Sequence, residues 1–327
     1  MAMAAKTTLS SCFTFLKEAL ILPTLNPKLF APVLLLFAVT AFLDPLVEVV
    51  FVHPLADGMA SRLTEISNTD PSSPEHAKLM EKLMETEEVK QVGKRMVRIT
   101  IAHLTVGPAV GLVKQIIALF AASTTYSGDR YSLAELLREL VKGRISPKGA
   151  SITIAIVGAL DFASSIAMFL MRAGLGVLSV QGLVSHLAYL VSLCFTVVAL
   201  VGVAASAVDR KCRGVRALRQ AWRLVTRVRR KEGFVLVLVA YLAPAVVTPL
   251  RRAAFEYANR SMAACLCLLA VCALLSGAQE LFSLAAATVY YYQAMESKEV
   301  IDALWLAKIR LVSARLSSCR LLLALER

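Results

Sequence analysis

A chain of 327 residues in which 57% are hydrophobic, with mean hydropathy +0.66, is richer in apolar side chains than a soluble globular domain. Lys plus Arg number 36 against 23 Asp plus Glu, a formal charge of +13, so a mostly apolar chain must keep its positive charge somewhere. Seven cysteines do not pair off, and the polar stretch from His53 to Arg95 holds none, which excludes a disulfide scaffold and leaves an all-α integral membrane protein as the expected class.

The start is Ser/Thr-rich and has no acidic residue before Glu18, so residues 1–28 read as an interfacial helix with some transit-peptide character. A membrane-crossing helix needs about 20 mostly apolar residues. Six runs meet this: Leu29 to Val52, Ile99 to Ala122, Ser151 to Met171, Leu183 to Val208, Phe234 to Leu250 and Met262 to Tyr292. Between the first two, residues 53–98 form an outer or lumenal segment with a helix of its own. There SSPEHAKLMEKLMETEEVKQV places Leu79, Met80, Leu83 and Met84 at helical spacing. In residues 131–148, Ser132 with Glu135 makes a capping box ahead of Leu133, Leu136, Leu137, Leu140 and Val141, a second interfacial helix. A third interfacial helix, residues 214–232, carries the densest charge. The tail, residues 300–325, alternates apolar side chains with Lys308, Arg310, Arg315 and Arg320, as a surface helix or partner-docking helix would.

Lys and Arg between the spans set the orientation, because the retained side carries the excess. The side holding both termini has 24 of them and the opposite side 11, which puts both termini in the cytosol. A plasma membrane, an endoplasmic reticulum or a plastid envelope would accept such spans. Asn259, Arg260 and Ser261 form a glycosylation sequon close to a span on the outer side, and Cys12, Cys212 and Cys319 lie at the cytosolic interface, where palmitoylation occurs.

The pattern of amphipathic stretch, helix break with a lysine, and span occurs three times. The breaks are Asn26–Pro27–Lys28, Ser146–Pro147–Lys148 and Lys231–Glu232–Gly233. Each unit reads as one interfacial helix plus a membrane hairpin, a threefold internal repeat.

In the third unit Arg216, Arg219, Arg223, Arg227 and Arg230 step by three and four along one helical stripe, while Val215, Leu218, Trp222 and Val225 step along another. Such a helix lies in the headgroup plane with Trp222 in the acyl boundary and the arginines on phosphates. Its ten basic and two acidic residues give +8 over residues 209–233. Anionic lipid or a partner protein is the expected ligand of this face. No aromatic or glycine-rich RNA motif accompanies the arginines, so nucleic acid is not.

Charges inside the spans are costly and usually pair or line a wet cavity. Counted along the spans, Lys114, Asp161 and Glu280 fall within about 5 Å of one another in depth. They form one layer, and Lys114 is expected to bond Asp161 or Glu280. Toward the outer side His103, Asp44 and Glu48 form a second, the two carboxylates one turn apart. As glue, these charges hold helices together. As a path, they would carry a proton or small solute, an idea supported by the Gly107, Pro108 and Gly111 break between His103 and Lys114. No HExxH, GxSxG, CxxC or Walker loop occurs, and the four histidines have no metal-ligand spacing. No catalytic residue, metal or cofactor is therefore assigned, and the chain reads as a non-enzymatic membrane component.

With the segments FLKEALILPTLNPKLFAPVLLLF, AASTTYSG and AWRLVTRVRRKEGFVLVLV, the chain resembles a family of uncharacterised plant multi-pass membrane proteins. Its layout of amphipathic helix, break and span is also similar to the membrane domain of some bacterial glycerophosphodiester phosphodiesterases. It lacks their catalytic barrel, so no phosphodiesterase residue carries over. The resemblance implies a six-span helical membrane protein.

Overall fold

The structure, a computed structural model, describes residues 13–52, 64, 87–142, 147–174, 180–209, 212–258 and 261–325. Among these there is no strand. The helices are α1 (Thr14–Leu25), α2 (Pro27–Val47), α3 (Glu87–Tyr126), α4 (Leu133–Val141), α5 (Lys148–Gly174), α6 (Val180–Val208), α7 (Val215–Arg223), α8 (Arg230–Ala258) and α9 (Met262–Leu325). α2 runs on into a π-helical turn, Glu48–Val52, and α7 into another, Leu224–Val228. Six helical segments are long and apolar enough to cross a membrane: Pro27–Phe51, Thr105–Tyr126, Lys148–Ile166, Leu187–Val208, Arg230–Tyr257 and Met262–Glu299. Six such helices among the described residues are the pattern of a multi-pass membrane protein. The outer segment's expected helix lies mostly outside the described residues, and α3 begins at Glu87, well before its span.

α9 is the central element, packed on α2, α8, α1, α6 and α3. Its approach to α2 depends on Gly277: a Cβ there would meet the Ala38 backbone nitrogen at 2.8 Å, so any side chain would force the two backbones apart. Small residues at such crossings are how membrane helices gain packing without a hydrophobic driving force.

The short helices α1, α4 and α7 gather at one end of the bundle. There the Asn26 side-chain amide donates to the Tyr131 carbonyl at 2.9 Å, and Phe15 packs edge-on against Tyr290. The main core lies at this end as well, drawing Phe30 and Val33 from α2, Leu119 from α3, Val201 from α6 and Ala286 from α9. At the far end a smaller cluster of Val49, Ala254, Cys265 and Leu269 joins the π-helical turn after α2 to α8 and α9. In the far halves of the membrane-crossing segments of α3 and α5, Val106, Val110, Leu160, Phe162 and Ile166 are instead exposed.

The helix breaks follow local chemistry. Asn26 leaves the helical region at φ −140°, ψ 68°, and Pro27 opens α2 at a position where a missing N–H costs nothing. The third break falls at Arg229, with φ −126° and ψ 63°, rather than at the expected Lys231 to Gly233. Around that break the Leu224 and Arg229 carbonyls each accept a backbone N–H, from Arg229 and from Gly233. Tyr290 lies buried beside them, and its hydroxyl is 3.2 Å from the Leu224 oxygen and 3.3 Å from the Arg229 oxygen, so it can donate to either. Lys231, Glu232 and Gly233 instead form the first turns of α8, with Gly233 against Val225.

α4 is shorter than expected, but its capping box is complete. Ser132 N–H donates to Glu135 Oε2 at 2.8 Å, and the Glu135 N–H donates to Ser132 Oγ at 3.4 Å. Backbone and side-chain hydrogen bonds from Ser132 hold the Glu135 carboxyl below its ordinary value. A carboxyl lowered on folding contributes stability that is present above its unfolded pKa and lost as pH falls through the folded one. α4 should therefore stay capped at neutral pH and fray on acidification. Ser132→Ala should loosen it by about 1 kcal/mol at neutral pH, measured as faster amide exchange at Glu135 and Leu136.

Candidate functional site

Lys114 on α3 pairs with Glu280 on α9, Nζ to Oε2 at 2.7 Å, and its ammonium lies 4.9 Å from the centre of the Phe37 ring on α2. Three spans meet at this one charge. The Lys114 side chain is 14% exposed and that of Glu280 46%. Of the two carboxylates expected beside Lys114, Glu280 is the partner. Asp161 is exposed on α5, bonded to neither, and lines a separate cavity with Gln115, Ser165 and Thr196. Similar depth did not bring it to the pair, because α9 packs on α3 at this level while α5 lies to the side.

In the second layer Glu48 has a basic partner outside the expected set. It accepts from Arg251 Nη2 at 2.7 Å, linking the π-helical end of α2 to the end of α8, and the Arg251 guanidinium lies 5.6 Å from the Phe255 ring centre. Arg251 was absent from the expected set because it lies beyond the fifth apolar run as counted. The His103 side chain lies outside the described residues.

Around α7 the side chains divide by direction. Ala217, Ala221 and Leu224 are buried against the bundle. Arg216, Arg219, Arg223, Arg227 and Arg230 are all exposed, and so are Val215 at 69% and Trp222 at 55%. At 3.6 residues per turn the Val215 and Trp222 direction lies roughly 80° from the direction shared by Arg216, Arg219 and Arg223. The helix thus has a packed side, a free apolar side and a free basic side. Alanines at 217 and 221 let α7 sit close, and Leu218 reaches over Gly202 on α6.

The arginine that matters most to the packing is outside that stripe. Arg229 donates through Nη1 to Gln293 Oε1 at 2.6 Å and through Nε to Ser297 Oγ at 3.1 Å. Its Nη1 also lies 3.1 Å from Glu232 Oε2, an ion pair rather than an aligned hydrogen bond. Gln293 in turn donates to Glu18 Oε2 on α1 at 2.8 Å. Four side chains, Glu18, Gln293, Arg229 and Glu232, therefore tie α1, α9 and the start of α8 together. The sequence carried one signal for this: Arg229 is out of step with its neighbours on the three-and-four spacing, at the point where the apolar run begins.

Cys212 is half-buried, with its thiol 2.6 Å from Gln220 Oε1. Burial, and then the neighbouring Asp209 carboxylate, push the thiol up, which disfavours the thiolate that acylation needs. The Cys12 and Cys319 side chains lie outside the described residues. Among the described residues no three His, Cys, Asp or Glu side chains gather as a metal would require. No protein-family model matches the chain, and neither the curated proteins nor the solved structures contain a match to it.

Proposed function

We propose that this membrane protein is a non-enzymatic component whose cationic face, on α7 and the turn after it, engages the anionic headgroups of its own bilayer. The observation that supports this best is the exposure of Arg216, Arg219, Arg223, Arg227 and Arg230 beside an exposed Trp222, on a helix whose remaining side is packed on the bundle. An apolar side and a basic side roughly a quarter turn apart suit the boundary between acyl chains and phosphates. On this reading the face is cytosolic, as the charge balance of the loops requires, and both termini share its side. α1, α4 and α7 are then three interfacial helices of a threefold repeat. The matching backbone conformations of Asn26 and Arg229, each just before a span, support that repeat.

The reading is tested with the full chain in nanodiscs. Thermal stability should rise when phosphatidylglycerol replaces part of the phosphatidylcholine, and the gain should shrink with salt, since each exposed charge near an anionic surface contributes on the order of 1 kcal/mol. Changing all five arginines to glutamine should abolish the gain and leave stability in phosphatidylcholine alone unchanged. Equal stability in both lipids would overturn the reading. A proton or solute path through Lys114, Asp161 and Glu280 has less support, because Lys114 and Glu280 close on each other and Asp161 stands apart.

A further inference from the structure

We propose that the cavity between α3, α5 and α6 is a lateral binding site for a lipophilic amine, with the Asp161 carboxylate as its counter-ion. The inference is independent of the cationic face. The cavity has a volume of about 740 Å³, within the range of roughly 300–1,000 Å³ typical of small-molecule sites. It is walled by apolar and small residues, among them Leu112, Ile154, Phe162, Phe195 and Val203. Four polar side chains converge on it: Gln115, Asp161, Ser165 and Thr196. The Thr196 hydroxyl donates to the Ser192 carbonyl, which leaves its oxygen free to accept.

The charge balance of this cavity selects the ligand. A carboxylate within a membrane span normally has a cation or donors beside it. Asp161 makes no hydrogen bond or ion pair to the described residues, and the cavity lining contains no Lys, Arg or His. Lys114, next in sequence to the lining residue Gln115, is engaged by Glu280 and the Phe37 ring. A ligand bearing a positive charge would supply what the described residues around Asp161 do not. Acidic amphiphiles would meet Asp161 with like charge, and a neutral alcohol would leave the carboxylate without its counter-ion.

The route of entry selects a lipophilic body. Ala109, Ala155, Ala159, Phe162 and Ser165 are exposed, so the cavity opens on the flank of the bundle between α3 and α5. All five belong to the membrane-crossing segments. A ligand arriving there comes through acyl chains, not through water. An ammonium on an apolar chain meets both conditions, with its N–H groups on Asp161 and Gln115 and its chain along Phe162 and Phe195.

The test uses the full chain in phosphatidylcholine nanodiscs and a decylamine bearing a diazirine in its chain, with the matching decanol as control. Photolabelling should map to α3, α5 and α6, and excess unlabelled decylamine should compete it away. Asp161→Asn should reduce the amine labelling at least tenfold and leave the protein folded by gel filtration and thermal midpoint. Gly158 gives a second variant. It lines the cavity, and a Cβ built there meets nothing within 4 Å, so Gly158→Leu has room to start a side chain that occupies the cavity and should block labelling too. Labelling by the alcohol equal to that by the amine would overturn the proposal, as would undiminished amine labelling in either variant.

Discussion

Lys114→Leu should destabilise the protein by about 3–5 kcal/mol, because it strands the Glu280 carboxylate in a membrane span with no other cation in reach among the described residues. The wild-type contact is a 2.7 Å ion pair, and the ammonium also faces Phe37, so one substitution removes an attraction between α3 and α9 and another between α3 and α2. Glu280→Leu should cost less, since Lys114 keeps its place over the ring, a contact of about 1–2 kcal/mol when desolvated. The double variant should be more stable than Lys114→Leu alone, because both desolvation penalties then vanish together. Reversible unfolding in mixed micelles measures all three. A cycle with no coupling would mean that Glu280 is solvated within the membrane, and the pair would then belong to a water-filled path. Asp161→Leu serves as the control and should show no coupling to Lys114, since the two are not bonded.

Arg229→Met should cost a similar amount, about 3–5 kcal/mol, for a different reason. Glu232 is 6% exposed, and among the described residues Arg229 is the only cation within ion-pair distance of it. Removing the guanidinium leaves that carboxylate buried and also frees Gln293 and Ser297. Changing Glu232 to Gln in the same chain should restore at least half of the loss, because the buried charge is gone. Arg227→Met, on the exposed stripe, should change stability by less than about 0.5 kcal/mol, within the usual range for surface substitutions. The contrast can be measured by the same unfolding experiment. A failure of Glu232→Gln to restore Arg229→Met would place the loss in the hydrogen bonds to α9 instead of in the ion pair.

The six spans were legible because a bilayer demands about 20 apolar residues per crossing, a requirement strong enough to show in an undivided sequence. Their ends were less so. α3 extends far before its apolar run, and the third break falls at Arg229, where a tyrosine from α9, distant in sequence, sets its hydroxyl against the Leu224 and Arg229 carbonyls. The depth of Lys114 and Glu280 could be counted, but the choice between Glu280 and Asp161 could not. Depth is a sum of residue rises, whereas partnership depends on which helices are neighbours and how each is turned about its axis. Arg251 and Arg229 were missed for a related reason. Each sits at the edge of an apolar run, where a counting rule assigns arginine to solvent; Arg251 meets its carboxylate, and Arg229 its partners Gln293 and Ser297 on α9, only once the helices are assembled.

The uneven distribution of the core has a mechanical consequence. α2, α8 and α9 are fastened at both ends, by the main core and by the Val49, Ala254, Cys265 and Leu269 cluster, and so form a strut of fixed length across the bilayer. Among the described residues α3, α5 and α6 join the main core but not the far cluster, like ribs meeting at one pivot. A thinner or thicker bilayer would then be met by a change in the splay of these ribs, leaving the strut untouched. Bilayer thickness would in this way set the width of the gap between α3 and α5.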